Sequence, residues 1–187
     1  EYVVGWLGWQ KFSIVDESKI QLKIDPEAAP LSKNLGVLGV NGITAYAGFI
    51  NICRPKKNDV VLVTTAAGSV GSAVGQLAKI YGCRTIGLTS SNNKAIVCKS
   101  KFGYDEVINY KQVNDLSNSL KKIAPNGIDC FFDNVGGTQF DAVMKNLNMK
   151  ARIVICGTIG MPSFPTPIGP RVNRTLLIKR AKIEGLL

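Results

Sequence analysis

Residues Asp59–Tyr81 read DVVLVTTAAGSVGSAVGQLAKIY. The apolar, β-branched run Val60–Val63 is typical of a strand buried on both faces, and it stops at small residues before a helical pattern begins. Gly68 and Gly71 allow a ligand to approach the backbone, and the N-terminus of a helix that starts near Ser69 attracts phosphate. This order of strand, turn and helix indicates a cradle for a dinucleotide.

The glycine pattern of this turn departs from the usual dinucleotide fingerprint. Ala66 occupies the first glycine position, so the match is Ala-x-Gly-x-x-Gly. Taken alone, the same pattern also fits a tightly packed turn that binds nothing. A P-loop is disfavoured because neither Gly-Lys-Ser nor Gly-Lys-Thr follows.

The composition is that of a globular protein. Of the 187 residues, 45% are hydrophobic and 19% are charged, which is enough for one core of ordinary domain size and part of a second. No apolar run approaches the roughly 20 residues that a membrane-spanning helix needs, and the N-terminus carries no signal-peptide pattern. We therefore expect a soluble protein with no membrane partner.

Cysteine and histidine usage narrows the chemistry. The five cysteines are far apart, with no Cys-x-x-Cys pair, which favours a reduced protein of the cytoplasm. The absence of histidine removes the commonest metal ligand and general base, so no metal site is expected. Chemistry in this chain must then come from a bound cofactor.

The charge is strongly basic, with a formal net charge of +10. The basic residues are spread along the chain and are not gathered into a stripe with interleaved aromatic residues, so we expect no nucleic-acid partner. The chain begins at Glu1 without a methionine and ends on what reads as a strand. These features predict a fragment that is truncated at both ends and whose acidic portions are absent.

Strand and helix patterns alternate from Val60 onward. The strand patterns are Val60–Thr64, Thr85–Leu88, Glu106–Asn109, Asp129–Asp133, Arg152–Cys156 and Lys182–Leu187, and the helix patterns are Ser69–Tyr81, Asn93–Phe102, Leu116–Ile123, Gln139–Leu147 and Val172–Lys179. Such alternation predicts parallel strands joined by right-handed crossovers. The expected fold is α/β, a Rossmann-type, doubly wound, parallel six-stranded sheet.

The first 29 residues do not fit this alternation. Tyr2–Val15 and Gln21–Ile24 read as short strands, which cannot bury a core by themselves. Pro26 and Pro30 then mark a linker. We place a domain boundary here, between residues 1–29 and a nucleotide-binding domain of residues 30–187.

The end of the second strand of this domain predicts the cofactor. An enzyme that binds NAD carries an Asp or Glu about 20 residues after the glycine turn, where the carboxylate accepts the ribose 2′-hydroxyl. Here the sequence Leu88-Thr-Ser-Ser91 has no acid, and Lys94 follows. A lone loop lysine is often only a solvated surface charge. Its position at this strand end favours a contact with the 2′-phosphate of NADP.

Five motifs occur in the order found in one known family. They are Gly5–Gln10, which ends in Gly-Trp-Gln, the segments Gly42–Tyr46, Ala66–Gln76 and Asp133–Gly137, and the pair Cys156-Gly157. On these motifs the chain resembles the zinc-free branch of the medium-chain dehydrogenase/reductases, specifically the prostaglandin reductase and NADP-dependent alkenal double-bond reductase group. The resemblance covers nearly the whole chain and implies that residues 1–29 are the remnant of a GroES-like substrate domain.

The resemblance also implies a set of NADP(H)-binding residues at strand ends. Ser69, Val70, Gly71 and Ser72, beside Gly68, would hold the pyrophosphate, and Lys94 and Tyr110 would contact the 2′-phosphate. Asn134 would lie beside the nicotinamide. Further along the cofactor it implies Cys156, Gly157, Thr158, Ile159, Gly160, Met161, Pro162, Leu186 and Leu187. Taken singly, several of these also fit structural roles, such as a half-buried aromatic at Tyr110, a turn residue at Asn134 and a core thiol at Cys156.

One position departs from the family pattern. Where the family usually carries Ile-Ser-x-Tyr-Asn, this chain reads Ile159-Gly-Met-Pro-Ser163, so that Pro162 replaces a tyrosine that is a candidate to support the enolate. Proline has neither a hydroxyl nor an N–H. No catalytic residue is therefore assigned; the proton donor is left to another residue, a ribose hydroxyl or water.

The expected function is NADPH-dependent reduction of the carbon–carbon double bond of an α,β-unsaturated carbonyl compound, an enone or alkenal. Quinone or carbonyl reduction on the same scaffold and a non-catalytic dinucleotide-binding domain are the alternatives. The substrate and the oligomeric state stay open, with a homodimer among the possibilities. A chain of this extent is expected to bind NADPH but to reduce enones poorly, because residues 1–29 cannot close a dry pocket over the nicotinamide.

Overall fold

A computed structural model of the chain describes residues 1–162, 165 and 168–186. The chain forms two compact units, Glu1–Ile43 and Thr44–Leu187. In the first unit, β1 (Tyr2–Gly5) pairs antiparallel with β2 (Ile20–Ile24). The boundary between residues 29 and 30 stays a prediction. A short helix, α1 (Val40–Tyr46), is followed directly by a π-helical segment, Ala47–Cys53.

The second unit contains a six-stranded sheet, and all of its strand pairs are parallel. Its strands are β3 (Val60–Val63), β4 (Arg84–Thr89), β5 (Glu106–Asn109), β6 (Ile128–Asp133), β7 (Leu147–Ile155) and β8 (Lys182–Gly185). Its helices are α2 (Ser69–Ile80), α3 (Asn92–Phe102), α4 (Leu116–Ile123), α5 (Gly137–Met144) and α6 (Asn173–Lys179). The predicted α/β fold is confirmed.

The order of the strands is β5-β4-β3-β6-β7-β8. The chain therefore builds outward from β3 in one direction and then returns to β3 to build in the other. The connection that follows β3 and the connection that follows β6 run in opposite directions along the sheet. This divergence creates a crevice outside the carboxyl ends of these two strands. Ligands of doubly wound sheets bind at such a switch point.

Both faces of the sheet are covered, and β3 shows why its sequence is apolar throughout. Val61 and Val63 belong to one buried cluster with Val74 of α2, whereas Leu62 belongs to the other cluster with Leu120 of α4. Because successive strand residues point to opposite faces, a strand between two helical layers needs apolar residues at every position. The core thus lies in two layers, one on each side of the sheet.

Local signals set the ends of several helices. Ser91 accepts a hydrogen bond from the backbone N–H of Lys94 at the start of α3 (3.4 Å), and Gly103, with φ of 72°, ends the helix. Asp115 caps α4 by accepting from the N–H of Asn118 at 2.9 Å. Among the described residues, no helix is long and apolar enough to cross a lipid bilayer.

Two predicted bounds differ from the structure by more than two residues. Strand β7 begins at Leu147, five residues before the predicted Arg152, and α5 ends at Met144, three residues before the predicted Leu147. Asn146 explains both, because its side-chain amide donates to the carbonyl of Ala142 at 2.9 Å and closes the end of the helix. Leu147 is then free to pair with Ile128 in the sheet.

Candidate cofactor site

The N-terminus of α2 points to the switch point. Gly68 is the N-cap and offers no side-chain hydrogen bond to the helix. The first backbone bond of the helix runs from the N–H of Ser72 to the carbonyl of Gly68 at 2.8 Å. The N–H groups of Ser69, Val70 and Gly71 therefore precede any intrahelical partner and carry the positive end of the helix dipole. This arrangement suits a phosphate group.

Gly71 is buried, and it has a packing role that the sequence did not predict. A Cβ at this position would lie 2.3 Å from the carbonyl oxygen of Thr65 and 3.1 Å from the Cα of Ala66. The sequence suggested that Gly71 leaves room for a ligand, but a side chain here would meet the backbone of the preceding turn. The carbonyl of Gly71 also accepts a hydrogen bond from the hydroxyl of Tyr104 at 2.7 Å. Gly71 thus lets α2 close onto the turn that follows β3.

Beside this helix end is a small cavity of about 110 Å³ that brings three predicted residues together. Gly68, Lys94 and Tyr110 all contribute to its wall, although they come from three separate segments of the chain; Lys94 lies in the first turn of α3 and not in a loop. The remaining lining residues are Thr65, Ala67, Leu88, Thr89 and Ser90. Among the described residues that line this cavity there is no carboxylate, and the one ionised side chain is the cation of Lys94.

The loops that form this cavity are tied together. Ser91, the cap of α3, holds the backbone at Lys94, and the amide of Asn109 at the end of β5 donates to the side chain of Asn92 at 2.9 Å. Tyr110 follows directly and packs at the edge of the second core cluster. Lys94 is exposed and, within the described residues, has no carboxylate partner within 4.0 Å.

On the other side of the switch point, a buried carboxylate organises the ends of β3 and β6. Asp133 is fully buried and accepts hydrogen bonds from the hydroxyl of Thr64 (2.8 Å) and the N–H groups of Val135 (3.0 Å) and Gly136 (3.0 Å). Burial raises the pKa of the Asp133 carboxyl, and these hydrogen bonds oppose the rise. The backbone carbonyl of Asp133 also accepts from the N–H of Cys156 at 2.7 Å.

Sequence reasoning missed this network. The signal was available, because Thr64 and Asp133 are polar residues that directly end two apolar strand runs. Their partnership could not be read from the sequence, since 69 positions separate them. The network positions Asn134, whose backbone N–H donates to the Thr64 hydroxyl (2.7 Å) and whose side-chain amide donates to the Thr64 carbonyl (2.8 Å). Asn134 is thereby fixed against β3 at the crevice.

The loop after β7 lines a second cavity of about 350 Å³. Of the residues implied for the far end of the cofactor, Thr158 and Met161 contribute to its wall, together with Asp133 and Gly136. The loop is held in place because the N–H of Gly160 donates to the carbonyl of Val135 at 2.8 Å.

The other predicted residues of this region lie around that loop. Burial raises the pKa of the half-buried Cys156 thiol, with a further rise from the charge of Asp133. Gly157 is half-buried, Ile159 and Pro162 are exposed, and Leu186 donates its N–H to the carbonyl of Ile155 at 2.9 Å. Leu187 lies outside the described residues.

Over residues 1–162, 165 and 168–186, no three His, Cys, Asp or Glu side chains come together as a metal-binding group. The side chains in these ranges therefore do not fit a zinc site.

Comparison with known proteins supports a dehydrogenase relationship. Residues 69–187 match the family model described as zinc-binding dehydrogenase. Over all 187 residues the chain is 43% identical to a 2-alkenal reductase (NADP(+)-dependent) of Nicotiana tabacum, covering 54% of that protein. It is 42% identical to prostaglandin reductase 1 of Oryctolagus cuniculus, covering 99% of the chain and 54% of the relative. The chain thus spans about half the length of these relatives.

A solved structure agrees with the fold. The structure of CurA in complex with NADPH from Vibrio vulnificus matches 90% of this chain and 50% of its own, with a TM-score of 0.81 and 42% sequence identity.

Proposed function

We propose that this chain, which belongs to the zinc-binding dehydrogenase family, binds NADPH and forms the cofactor half of an enzyme that reduces the carbon–carbon double bond of α,β-unsaturated carbonyl compounds. The observation that carries the proposal is the small cavity beside the N-terminus of α2. It joins Lys94, Tyr110 and Gly68 and contains no carboxylate. The names of the tobacco and rabbit relatives and the NADPH in the Vibrio structure support the same cofactor and reaction.

In this proposal each part of the crevice has a task. The N–H groups at the start of α2 face the pyrophosphate, and Lys94 faces the 2′-phosphate as a charge-assisted donor. Asp133 keeps the two loops of the nicotinamide end in a fixed position relative to β3. Bound NADPH would supply a hydride to the β-carbon of the substrate. Positioning of this kind is what the protein adds to cofactor chemistry.

The same proposal includes zinc independence and a cytoplasmic location. It also includes the extent of the two domains and the remaining residues of the cofactor site. The residues described here offer no metal-ligand group, in keeping with a reaction that needs none. Pro162 is exposed and has neither a hydroxyl nor an N–H, so the proton for the α-carbon comes from another group. The proposed substrate is a small enone or alkenal.

The reaction is tested in a protein of the relatives' full length that carries residues 1–187. NADPH and a 2-alkenal should yield the saturated aldehyde, as identified by mass spectrometry of the product. A product that keeps its double bond, or turnover with a quinone alone, would favour the quinone or carbonyl reductase alternative. Tight NADPH binding without any turnover would favour the non-catalytic dinucleotide-binding domain. The presence of Pro162 where the family usually has a tyrosine is the observation that favours this alternative.

Replacement of Lys94 by alanine tests the choice of cofactor. Loss of a charge-assisted contact should weaken NADPH binding by about 10- to 150-fold, the equivalent of about 1.5–3 kcal/mol. NADH, which lacks the 2′-phosphate, should bind almost unchanged. The difference should shrink with added salt, because Lys94 is exposed. Calorimetric titration of both cofactors measures these effects.

Lys101→Ala is the matched control for this test. Lys101 is on the same helix, is exposed and, in the described part of the chain, has no carboxylate within 4.0 Å. Lys101→Ala should leave the affinities for NADPH and NADH within about twofold of those of the original chain, since an exposed charge away from the site contributes little. Equal losses for NADPH and NADH in Lys94→Ala would show that this lysine supports the loop and does not recognise the phosphate.

A further inference from the structure

A second basic site lies near the amino ends of the strands, whereas the cofactor crevice lies outside their carboxyl ends. There, a cavity of about 470 Å³ is lined by six cationic side chains. They are Arg54, Lys56, Lys150, Arg152, Arg180 and Lys182. We call this the basic cavity. The cations come from three segments of the sequence: Arg54-Pro-Lys56 before β3, Lys150-Ala-Arg152 within β7, and Arg180-Ala-Lys182 at the start of β8.

The charges of this cavity are poorly balanced. Arg152 forms an ion pair with Asp59 and donates to the carbonyl of Cys53 at 2.7 Å, so its charge is compensated. In the described part of the chain, no carboxylate lies within 4.0 Å of the charged groups of the other five. Glu184 is the one carboxylate in the cavity wall. Five cations against one anion leave an excess of four positive charges in a small volume.

The strand register places two of the cations on neighbouring strands. Arg152 and Lys182 are partners across the β7–β8 pair, so their side chains emerge on the same face of the sheet. Because Arg152 is already paired with Asp59, an anion bound here would chiefly balance the charge of Lys182.

The backbone also adopts an unusual conformation at this site. Arg54, Lys150 and Arg180 have φ values of 46°, 60° and 50°, and they are three of the five non-glycine residues with positive φ in the described chain. Each is the first basic residue of its basic-x-basic triplet. Arg54 and Arg180 are C-caps, of the π-helical segment and of α6, and a left-handed residue commonly ends a helix. The backbone conformation therefore places these two cations at helix ends.

We propose that the basic cavity binds a compact polyphosphate anion, either inorganic or the phosphate chain of a nucleotide. A volume of about 470 Å³ lies in the range of small-ligand pockets. A concave wall with no aromatic lining residue favours such an anion over single-stranded nucleic acid, which is bound in open grooves by stacking on aromatic side chains. The proposal goes beyond the cofactor site and is independent of it. Lys94 and the N-terminus of α2 lie at the carboxyl ends of the strands, and the basic cavity lies near their amino ends.

Inorganic triphosphate is the probe, titrated into the chain by calorimetry at low ionic strength. The test variant combines Lys150→Gln, Arg180→Gln and Lys182→Gln. Loss of three charge-assisted contacts should weaken triphosphate binding by about 30-fold or more. The matched control combines Lys101→Gln, Lys111→Gln and Lys122→Gln, which removes the same charge from exposed lysines elsewhere. It should bind within about threefold of the original chain.

Two further variants separate the sites and guard against misfolding. A loss of triphosphate affinity in Lys94→Gln, with no loss in the test variant, would place the anion in the cofactor crevice and overturn the proposal. Lys182→Gln on its own changes an exposed side chain at the start of β8, so it should keep the thermal midpoint and still weaken binding by about fivefold. Variants are compared only after their thermal midpoints have been measured.

The remaining outcomes also decide the question. Equal losses in the test and control combinations would mean that triphosphate responds to net charge and has no site. Absence of triphosphate binding in the original chain would overturn the proposal outright. A single-stranded oligonucleotide that binds more tightly than triphosphate, and loses that affinity in the test combination, would replace it with nucleic-acid binding. Competition by nucleoside triphosphates but not by nucleoside monophosphates would support the nucleotide form of the ligand.

Discussion

Replacement of Asp133 by asparagine should lower the free energy of unfolding by about 3 kcal/mol, because it breaks a fully buried network of hydrogen bonds. The carboxylate accepts from Thr64, Val135 and Gly136. Asparagine has nearly the same shape, but its NH₂ group is a donor and must face N–H or O–H groups that are donors too. Chemical denaturation of both proteins measures the loss. NADPH affinity should fall as well, because the loops of the crevice lose their common anchor.

Asp141→Asn is the control for that substitution. Asp141 lies on α5 in the wall of the same cavity, and burial raises the pKa of its carboxyl too, with the charge of Lys145 opposing the rise. Unlike Asp133, it is partly exposed and accepts no hydrogen bond among the described contacts. Its substitution should change the free energy of unfolding by less than about 0.5 kcal/mol. Equal effects of the two substitutions would contradict a structural role specific to Asp133.

The sequence predicted the sheet well where its apolar pattern is regular. The predicted strand Glu106–Asn109 and helix Leu116–Ile123 have the observed bounds, and α2 begins at Ser69 as expected. Buried parallel strands read as continuous apolar runs, and small residues before Ser69 interrupt the strand pattern clearly. The start of β7 was missed because exposed polar residues, among them Lys150, precede its apolar part.

The candidate site was predictable only in its local parts. Gly68 and Lys94 were recognisable because a glycine turn and a strand end are local signals, and the structure brings both into one cavity. The partnership of Thr64 with Asp133 depends on which strands are neighbours, and this is a property of the topology. The same holds for the basic cavity: cations that appear evenly spread along the sequence become neighbours once β7 and β8 pair.

Gly71→Val should destabilise the chain by at least about 3 kcal/mol, since the new Cβ would lie 2.3 Å from the Thr65 carbonyl oxygen. Flexible side chains can move away from such an overlap, but here the obstacle is backbone. Either α2 must shift away from the sheet or the turn after β3 must change its conformation. A shift of α2 would also strain the hydrogen bond from the Tyr104 hydroxyl to the Gly71 carbonyl. NADPH binding should be lost with the fold of the turn, and not by a side chain that fills the phosphate site.

Gly185→Val provides the matched control, because a Cβ at Gly185 would have nothing within 4 Å. It introduces the same side chain into β8 and should change the free energy of unfolding by less than about 0.5 kcal/mol. Urea denaturation and NADPH titration of the two variants distinguish the two explanations for Gly71. A Gly71→Val protein with the original denaturation midpoint and no NADPH affinity would mean that the valine obstructs the phosphate directly. A large loss of stability in Gly71→Val alone would show that this glycine is required because α2 packs so closely on the turn that begins it.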